Sequence, residues 1–480
     1  MRISKKQSGA MATIAMIMSL AWPTIIEQAM GTAVQYVDTG MVSSLGTQAT
    51  AAVGATSTIG WLIGSTISAF SVGFLSYIAR AIGAKDEAAC KRTSSQAVLV
   101  VLVVGTIFTA IPLLLSGAVP KWMQVEDPQV QKLASRYFFI LYLPMLPRTA
   151  TTLFGTALRA AGDTKTPMKV GILVNLINVL LNFLLIYPTR LIDLSFSLFG
   201  WQIDLGSFTM PGAGMHVIGA AVASAIAFVI GGIFITIVFW RHPMLSPDKI
   251  NLKPDWAILK PCMRISFPNM LQRFATSLGY VVFAAMINAL GPISTAAHTI
   301  ANTVESAFYI PGYGMQTAAA TLAGNAYGAK DKKKMKSISA MFIPIEIGLM
   351  IFSGAALFFL ANPLMNLFSN DQDVIRMGTT VLKMVALSEP VYGFSIIVEG
   401  MMMGVGKTKR PFVYNVAGMW GVRIVGTYIC TQLFGLDLIA AWGCMIAHNV
   451  LLFFLYLITY IRGTWNPLNR LQNADSTIVH

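Results

Sequence analysis

The sequence predicts an all-α polytopic membrane protein, with twelve transmembrane helices in two parallel six-helix repeats folded as two lobes about a V-shaped cleft. Three observations predict it. Of 480 residues, 55% are hydrophobic and only 11% are Asp, Glu, Lys or Arg, whereas a soluble domain carries roughly 25% charged residues. The Lys and Arg residues gather in short clusters between apolar runs. The second half of the chain repeats the first at a nearly constant offset.

A spanning helix needs about 20 mostly apolar residues. Twelve segments qualify: 11–43, 48–82, 92–117, 128–160, 166–187, 215–240, 257–289, 294–327, 336–361, 372–404, 411–433 and 437–461. Several exceed the bilayer thickness and are expected to tilt or bend, with Pro23, Pro144, Pro268, Pro311 and Pro390 marking kinks. The first run follows Arg2, Lys5 and Lys6 but continues past Pro23 to Val34 without a small-x-small cleavage pattern. It reads as an uncleaved spanning helix rather than a signal peptide.

The loops set the orientation. Lys and Arg total 34 against 20 Asp and Glu, a net charge of +14. In a soluble chain that excess would suggest nucleic acid. Here it falls on alternate loops: Arg80, Lys85, Lys91 and Arg92; Arg159, Lys165 and Lys169; Arg241, Lys249, Lys253, Lys260 and Arg264; Lys330, Lys332, Lys333, Lys334 and Lys336; Lys407, Lys409 and Arg410. The intervening loops hold few, such as Lys121 and Arg190. The positive-inside rule then puts both termini in the cytoplasm and the long loop at 188–212 outside. In that loop Leu194, Phe196 and Leu198 alternate with Ser195 and Ser197, and Trp201, Ile203 and Leu205 follow Gly200. This is a β-hairpin pattern.

A shift of 245 places Pro23 on Pro268, Leu45-Gly46 on Leu290-Gly291, and Gly83-Ala84-Lys85-Asp86 on Gly328-Ala329-Lys330-Asp331. A shift of 244 then places Asp127 on Asp371 and Gly162-x-Thr164-Lys165-x-Pro167 on Gly406-x-Thr408-Lys409-x-Pro411. Each copy holds six helices, so both start on the same side, as parallel repeats. The expected division is a lobe at 1–240, a linker at 241–256 and a lobe at 257–480. Two such lobes suit alternating access.

Ionisable residues inside spans cost roughly 2.5–3.5 kcal/mol each on insertion scales, which makes them functional candidates. Asp38 is the leading one. Glu27 lies three turns earlier on nearly the same face, and Gln35 one turn before. Asn175, Asn178 and Asn182 share a face of the fifth helix, suited either to ligating a cation or to holding helices together. Arg148 is expected at the depth of these asparagines, where it could balance Asp38. In the second half, Arg273 and Glu305 fall at matching depths, as do Glu389 and Arg423, with Glu399 nearby. These are expected to be structural ion pairs, the alternative being a switchable pair near the cleft. The many Met and Phe side chains are expected to line the cleft. His298 and His448 read as packing residues, with His298 a weaker proton-site candidate.

Other chemistry is poorly served. Cys90, Cys262, Cys430 and Cys444 form no CxxC pair, and no His stands at zinc spacing. Gly406-Lys407-Thr408 resembles the end of a phosphate loop, but Met401 occupies the place of its first glycine. No nucleophile–His–acid pattern or metal motif supports a membrane enzyme.

The order, spacing and duplication of several motifs resemble the multidrug and toxic compound extrusion (MATE) family of cation-coupled antiporters. They are Pro23 with Val37-Asp38-Thr39, Gly83-Ala84, Ala157-Leu158-Arg159-Ala160-Ala161-Gly162-Asp163-Thr164, Asn175, Asn178 and Asn182, Gly219-Ala220-Ala221, Gly328-Ala329 and Gly404-Val405-Gly406. The resemblance covers nearly the whole chain. It implies export of organic cations or drug-like amphiphiles in exchange for H⁺ or Na⁺, with no other cofactor and with Na⁺ at Asp38 as the one metal ion provided for. It implies coupling at Asp38, Asn178, Asn182 and Ser224. Glu27, Gln35, Arg148, Asn175, Glu305 and Glu389 would then line the cleft or balance charge. The family often carries Asp at the position of Asn182 and Thr at that of Ser224, so this chain keeps one carboxylate there. Acids used by other branches are replaced by Thr276 and Tyr392. A monomer in the bacterial inner membrane, contacting lipid and small molecules but no nucleic acid, completes the expectation. The alternative is a flippase for a lipid-linked precursor. A neutral or acidic cleft favours drug cations, and a basic one favours lipid phosphates.

Overall fold

The computed structural model describes residues 5–123, 125–198, 201–247 and 253–469, with the side chains of 5–10, 58 and 192–208 outside that description. Arg2, Lys249 and the alternating side chains of the hairpin therefore lie outside the described residues.

Seven of the expected spans are single helices or close to it: α1 (Lys5–Ser43), α2 (Thr47–Gly83), α3 (Glu87–Leu115), α7 (Lys165–Leu185), α8 (His216–Arg241), α9 (Trp256–Asn288) and α12 (Lys332–Phe368). The last span, α17 (Leu438–Ile461), is also continuous. A short α4 (Val119–Trp122) caps one loop. Pro23 and Pro268 sit inside α1 and α9 without ending them.

The other four spans, expected as single helices, are broken. The fourth is α5 (Pro128–Tyr142) and α6 (Met145–Ala160), and the eighth is α10 (Pro292–Phe308) and α11 (Ile310–Gly328). The tenth is α13 (Gln372–Ala386) and α14 (Glu389–Gly404), bent by 53°. Pro144, Pro311 and Pro390 stand at these breaks. Each lacks an N–H and restricts the residue before it, so the helix restarts there. The eleventh span alternates α15 (Lys409–Val416) and α16 (Val425–Tyr428) with π-helical turns at Ala417–Ile424 and Ile429–Leu433.

Among the described residues, seven helices are individually long and apolar enough to cross a membrane, and α13–α14 together make an eighth. Their outer faces are apolar and unpartnered. Leu114 is 84% exposed, Phe359 79% and Ile461 73%, with Ile107, Ile233, Phe234, Phe352 and Phe454 beside them. Apolar faces this extensive belong in lipid, where helices satisfy their own backbone groups. The chain is a multi-pass, all-α membrane protein. The sheet among the described residues is the expected hairpin, β1 (Pro188–Leu198) antiparallel to β2 (Trp201–Ala213), with Leu198 opposite Trp201.

The repeat is visible in backbone detail. Lys85 and Lys330 both adopt positive φ, at 56° and 54°, a conformation costly for a residue with a Cβ. The next residue caps a helix in each copy: Asp86 accepts from Ala89 N at 2.9 Å and Asp331 from Lys334 N at 2.8 Å. Asp127 and Asp371 cap α5 and α13 in the same way.

The first helix of each half is shared between the lobes. Ile17, Leu20 and Ala21 of α1 pack in a core with Met315, Phe342, Ile397 and Tyr456 of the second half. Ile258, Leu259 and Cys262 of α9 pack with Phe74, Phe154 and Phe239 of the first. The lobes also meet where α2 and α11 cross, at the end of the molecule that carries the basic turns. A Cβ on Gly83 would stand 2.0 Å from the Asn325 carbonyl oxygen, and one on Gly328 would stand 1.9 Å from that of Arg80. Only glycine permits this approach. Ser76 Oγ donates to the Gly404 carbonyl across the same junction at 2.8 Å.

Candidate functional site

Inside the first lobe, α1, α7 and α8 bring four of the expected residues together. Asn182 Nδ2 donates to Asp38 Oδ1 at 2.6 Å. Asn178, one turn earlier on α7, contacts Ser224 Oγ on α8 at 3.0 Å. When the Asn178 amide is turned so that nitrogen faces the carboxylate, it donates to Asp38 at 2.9 and 3.1 Å while its oxygen accepts from Ser224. That orientation satisfies both groups, which is how amides are assigned. Asn178 and Asn182 are buried and Asp38 is half-buried. Asn182 Oδ1 is buried without a partner. The cluster is therefore one carboxylate, two amides and a hydroxyl.

The remaining first-lobe candidates lie elsewhere. Glu27 does not join Asp38. It pairs with Arg159 of α6 at 2.5 Å, both side chains being largely buried. Gln35 is exposed. Asn175, half-buried, makes none of these contacts. Arg148 does not balance Asp38 either, since its guanidinium lies 4.6 Å from the ring of Phe228. Matching depth along antiparallel helices did not fix which way the side chain faces.

In the second lobe neither expected ion pair forms. Arg273 faces the cleft, whereas Glu305 is buried and accepts from Tyr309 Oη at 2.6 Å. Glu389 is fully buried with both carboxylate oxygens unpartnered. Arg423, also buried, lies over the rings of Phe283 and Tyr280 at 4.2 and 4.8 Å. Glu399 accepts from Gln272 at 2.7 Å and from Asn415 at 3.4 Å. His298 accepts from Trp442 Nε1 at 3.2 Å, a packing role. His448 is buried without a hydrogen bond. The sequence reading missed Glu346, fully buried in α12 with both oxygens unpartnered. Its signal was a lone acid in an otherwise apolar span.

The repeat relates the two interiors. At an offset of 245, Asp38 falls on Phe283 and Asn178 on Arg423, the π-helical turn from Ala417 absorbing one residue beyond the offset of 244 at Gly406. The first lobe thus holds an anion against amides where the second holds a cation against aromatic rings.

Between the lobes lies a cavity of about 310 Å³, at the small end of the range for drug-sized ligands. Thr24, Ser65, Ser68, Ser71, Gln316, Arg159 and Arg273 contribute to its wall, with Tyr313 and Met403. The expected Met and aromatic lining is therefore largely replaced by hydroxyls and amides. Many methionines, including Met315, Met335, Met401 and Met402, are instead packed into the second-lobe core.

Comparison with known proteins agrees with this architecture. The MatE family model matches residues 23–184 and again 268–429, two segments displaced by 245. The chain is 25% identical to the probable multidrug resistance protein NorM of Thermotoga maritima over 449 residues, covering 94% of this chain and 92% of that protein. It is likewise 25% identical to the probable multidrug resistance protein YoeA of Bacillus subtilis, covering 88% and 87%. Its fold matches a crystal structure of MATE in complex with MaL6, with TM-score 0.85 at 20% identity over 95% of this chain and 97% of that one. A structure described as the outward-facing conformation of a multidrug resistance MATE family transporter matches with TM-score 0.82 at 20% identity, covering 95% and 96%. At those identities the structural likeness speaks for the fold. The duplicated match over most of the chain decides the family: this protein belongs to the MatE family of membrane transporters, which are not enzymes.

Proposed function

We propose that the protein exports cationic or drug-like amphiphiles across the bacterial inner membrane in exchange for inward-moving protons, by alternating access. Both termini are cytoplasmic in this reading, and the halves 1–240 and 257–480 rock about the 241–256 linker. The observation that carries it is the single carboxylate Asp38, set inside a lobe against Asn182, Asn178 and Ser224. Amide N–H groups stabilise the carboxylate as an anion. Proton uptake would remove the charge those donors serve and allow α1 to repack against α7. Na⁺ would have to displace the donors, so H⁺ is the better fit. The names of the relatives, multidrug resistance proteins, support efflux.

Cavity charge bears on the substrate. Arg159 is balanced by Glu27 at 2.5 Å, whereas Arg273 makes no ion pair among the described residues. The wall thus carries one compensated arginine and one unpaired one, short of a strongly cationic surface, and its hydroxyls and amides suit amphiphiles of modest charge. A lipid-phosphate flippase would call for an uncompensated basic cleft.

The test is ethidium transport in proteoliposomes with an imposed pH or Na⁺ gradient. Asp38→Asn should abolish pH-driven transport while the protein stays folded and inserted. Near wild-type transport with unchanged ion dependence would place coupling elsewhere, and transport driven by Na⁺ alone would replace the proton.

A further inference from the structure

The second lobe buries three carboxylates that the Asp38 site does not use. Glu346 on α12 and Glu389 at the start of α14 are fully buried, and Glu305 near the end of α10 is 3% exposed. All four oxygens of Glu346 and Glu389 lack any hydrogen-bond partner. A buried carboxylate with no donor must be neutralised, by a cation or by a proton.

The packing makes room for these acids. Glu346 Oε1 lies 3.0 Å from where a Cβ on Gly312 of α11 would stand, and its Cγ lies 3.3 Å from that of Gly393 on α14. The Cβ of Glu389 lies 3.2 Å from that of Gly354 on α12. A larger residue at Gly312 would crowd the Glu346 carboxylate, while one at Gly393 or Gly354 would first meet Met350 or the Ala386 carbonyl, at 2.6 and 2.5 Å. The acids also sit at two helix breaks, between Phe308 and Ile310 and between Ala386 and Glu389. Ser353 Oγ of α12 satisfies the Phe308 carbonyl at the first break, at 2.9 Å.

The acids face one another and a short tyrosine series. Glu389 interacts electrostatically with Glu305 and Glu346. Tyr309 Oη donates to Glu305 at 2.6 Å, and its ring meets that of Tyr392 edge-on at 4.9 Å. Tyr392 interacts electrostatically with Tyr313, which lines the central cavity. Arg423, from the π-helical turn, interacts electrostatically with Glu305. Among the described residues, no three His, Cys, Asp or Glu side chains converge on one metal position. The proton is therefore the better ligand.

We propose that Glu346 and Glu389, with Glu305, form a second proton-binding site, separate from Asp38, that exchanges protons with the central cavity through Tyr309, Tyr392 and Tyr313. In the exchange, a carboxylic O–H passes its proton along the hydroxyls to cavity water, leaving a carboxylate, and regains one by the reverse route. Tyr309 then donates to whichever form Glu305 holds. Only the transport arm of the test rests on the efflux reading above.

The test uses the full chain in detergent and in liposomes. Wild type should show the infrared carbonyl band of buried carboxylic acids at neutral pH. Glu346→Gln and Glu389→Gln should each remove part of that band while melting near the wild-type temperature, since glutamine reproduces the shape and neutrality of the acid. Proton release on ethidium binding, read with a pH dye, should fall about twofold or more in each variant, because ligand and proton binding are reciprocally linked. Tyr313→Phe should keep the band but slow its response to a pH jump. An undiminished band in both glutamine variants overturns the proposal, as does a glutamine variant that fails to fold while Glu346→Asp folds, because that would show an ionised, structural acid. If wild type moves no ethidium at all, the efflux reading fails and the infrared result still decides this site.

Discussion

The crossing of α2 and α11 at Gly83 and Gly328 predicts a gate at the basic end of the molecule. Gly83→Ala puts a methyl carbon 2.0 Å from the Asn325 carbonyl oxygen, where even 3.0 Å is closer than real Cβ atoms come, so the helices must part by about 1 Å. The contact is backbone on one side, and no rotamer change relieves it. Overpacking of this kind costs about 1–3 kcal/mol. The penalty falls only on the conformer in which this end is closed. The population of the alternative conformer should therefore rise by a factor of about 5 to 150. The assay is maleimide labelling of Val72→Cys, a cavity-lining position, with Cys90, Cys262, Cys430 and Cys444 replaced. Gly83→Ala should speed labelling from the basic side and slow it from the other. A variant that inserts and melts normally yet labels at the parent rate from both sides would refute the gate.

Three further outcomes are expected. A cysteine at Ser197 should label from outside the cell and one at Lys333 should not, and the reverse pattern would overturn the orientation. The pair of Glu27 and Arg159, at 2.5 Å and largely buried, takes the structural role expected of Arg273 and Glu305. Glu27→Gln should lower the melting temperature, on the order of 3 kcal/mol for a stranded partner, and adding Arg159→Gln should restore part of it. Asp255, in the loop before α9, accepts from Arg92 at 2.7 Å and caps the helix through Ala257 N at 3.0 Å. The Arg92 hydrogen bond holds its carboxyl below the usual carboxylate range. The stabilisation is thus complete above the ordinary carboxylate pKa and is lost as pH falls through the depressed one. The melting-temperature gap between wild type and Asp255→Asn should be present at neutral pH and close only in strong acid. A gap independent of pH would refute it.

Much of the frame was legible in the sequence because backbone requirements leave residue signatures. Gly-Ala-Lys-Asp recurs because each copy needs a close helix approach, a positive-φ turn and an aspartate cap. Asp38, Asn178 and Asn182 were legible because polar groups in an apolar span need partners, whereas Ser224 was found only through the resemblance to the family. What failed was direction. Arg148 and Arg273 were placed by depth along their helices, yet depth says nothing about the angle at which a side chain leaves the helix. Arg148 turned to Phe228, and Arg273 to the cavity. Glu27 lies on the Asp38 face by count, but Arg159 on a neighbouring helix claims it. Glu346 was overlooked because hydropathy averages a single acid away, and its importance depends on glycines from two other helices.

The exchange of first helices between lobes bears on how such a protein can be divided and how it arose. The half of α1 that carries Ile17, Leu20 and Ala21 is embedded in the partner lobe, while Asp38 sits in its own. Neither half of the chain is then a self-sufficient module. Cut in the 241–256 segment, each fragment would leave the apolar grip of α1 or α9 without its seat, so fragments made singly should be degraded and fragments made together should reassemble. The same geometry describes an ancestor. A six-helix precursor of this design would have been complete only as a swapped dimer, each copy lending its first helix to the other. Fusion of two such genes would have made that exchange permanent and freed the two interiors to diverge, one toward a carboxylate held by amides and the other toward a guanidinium held by rings.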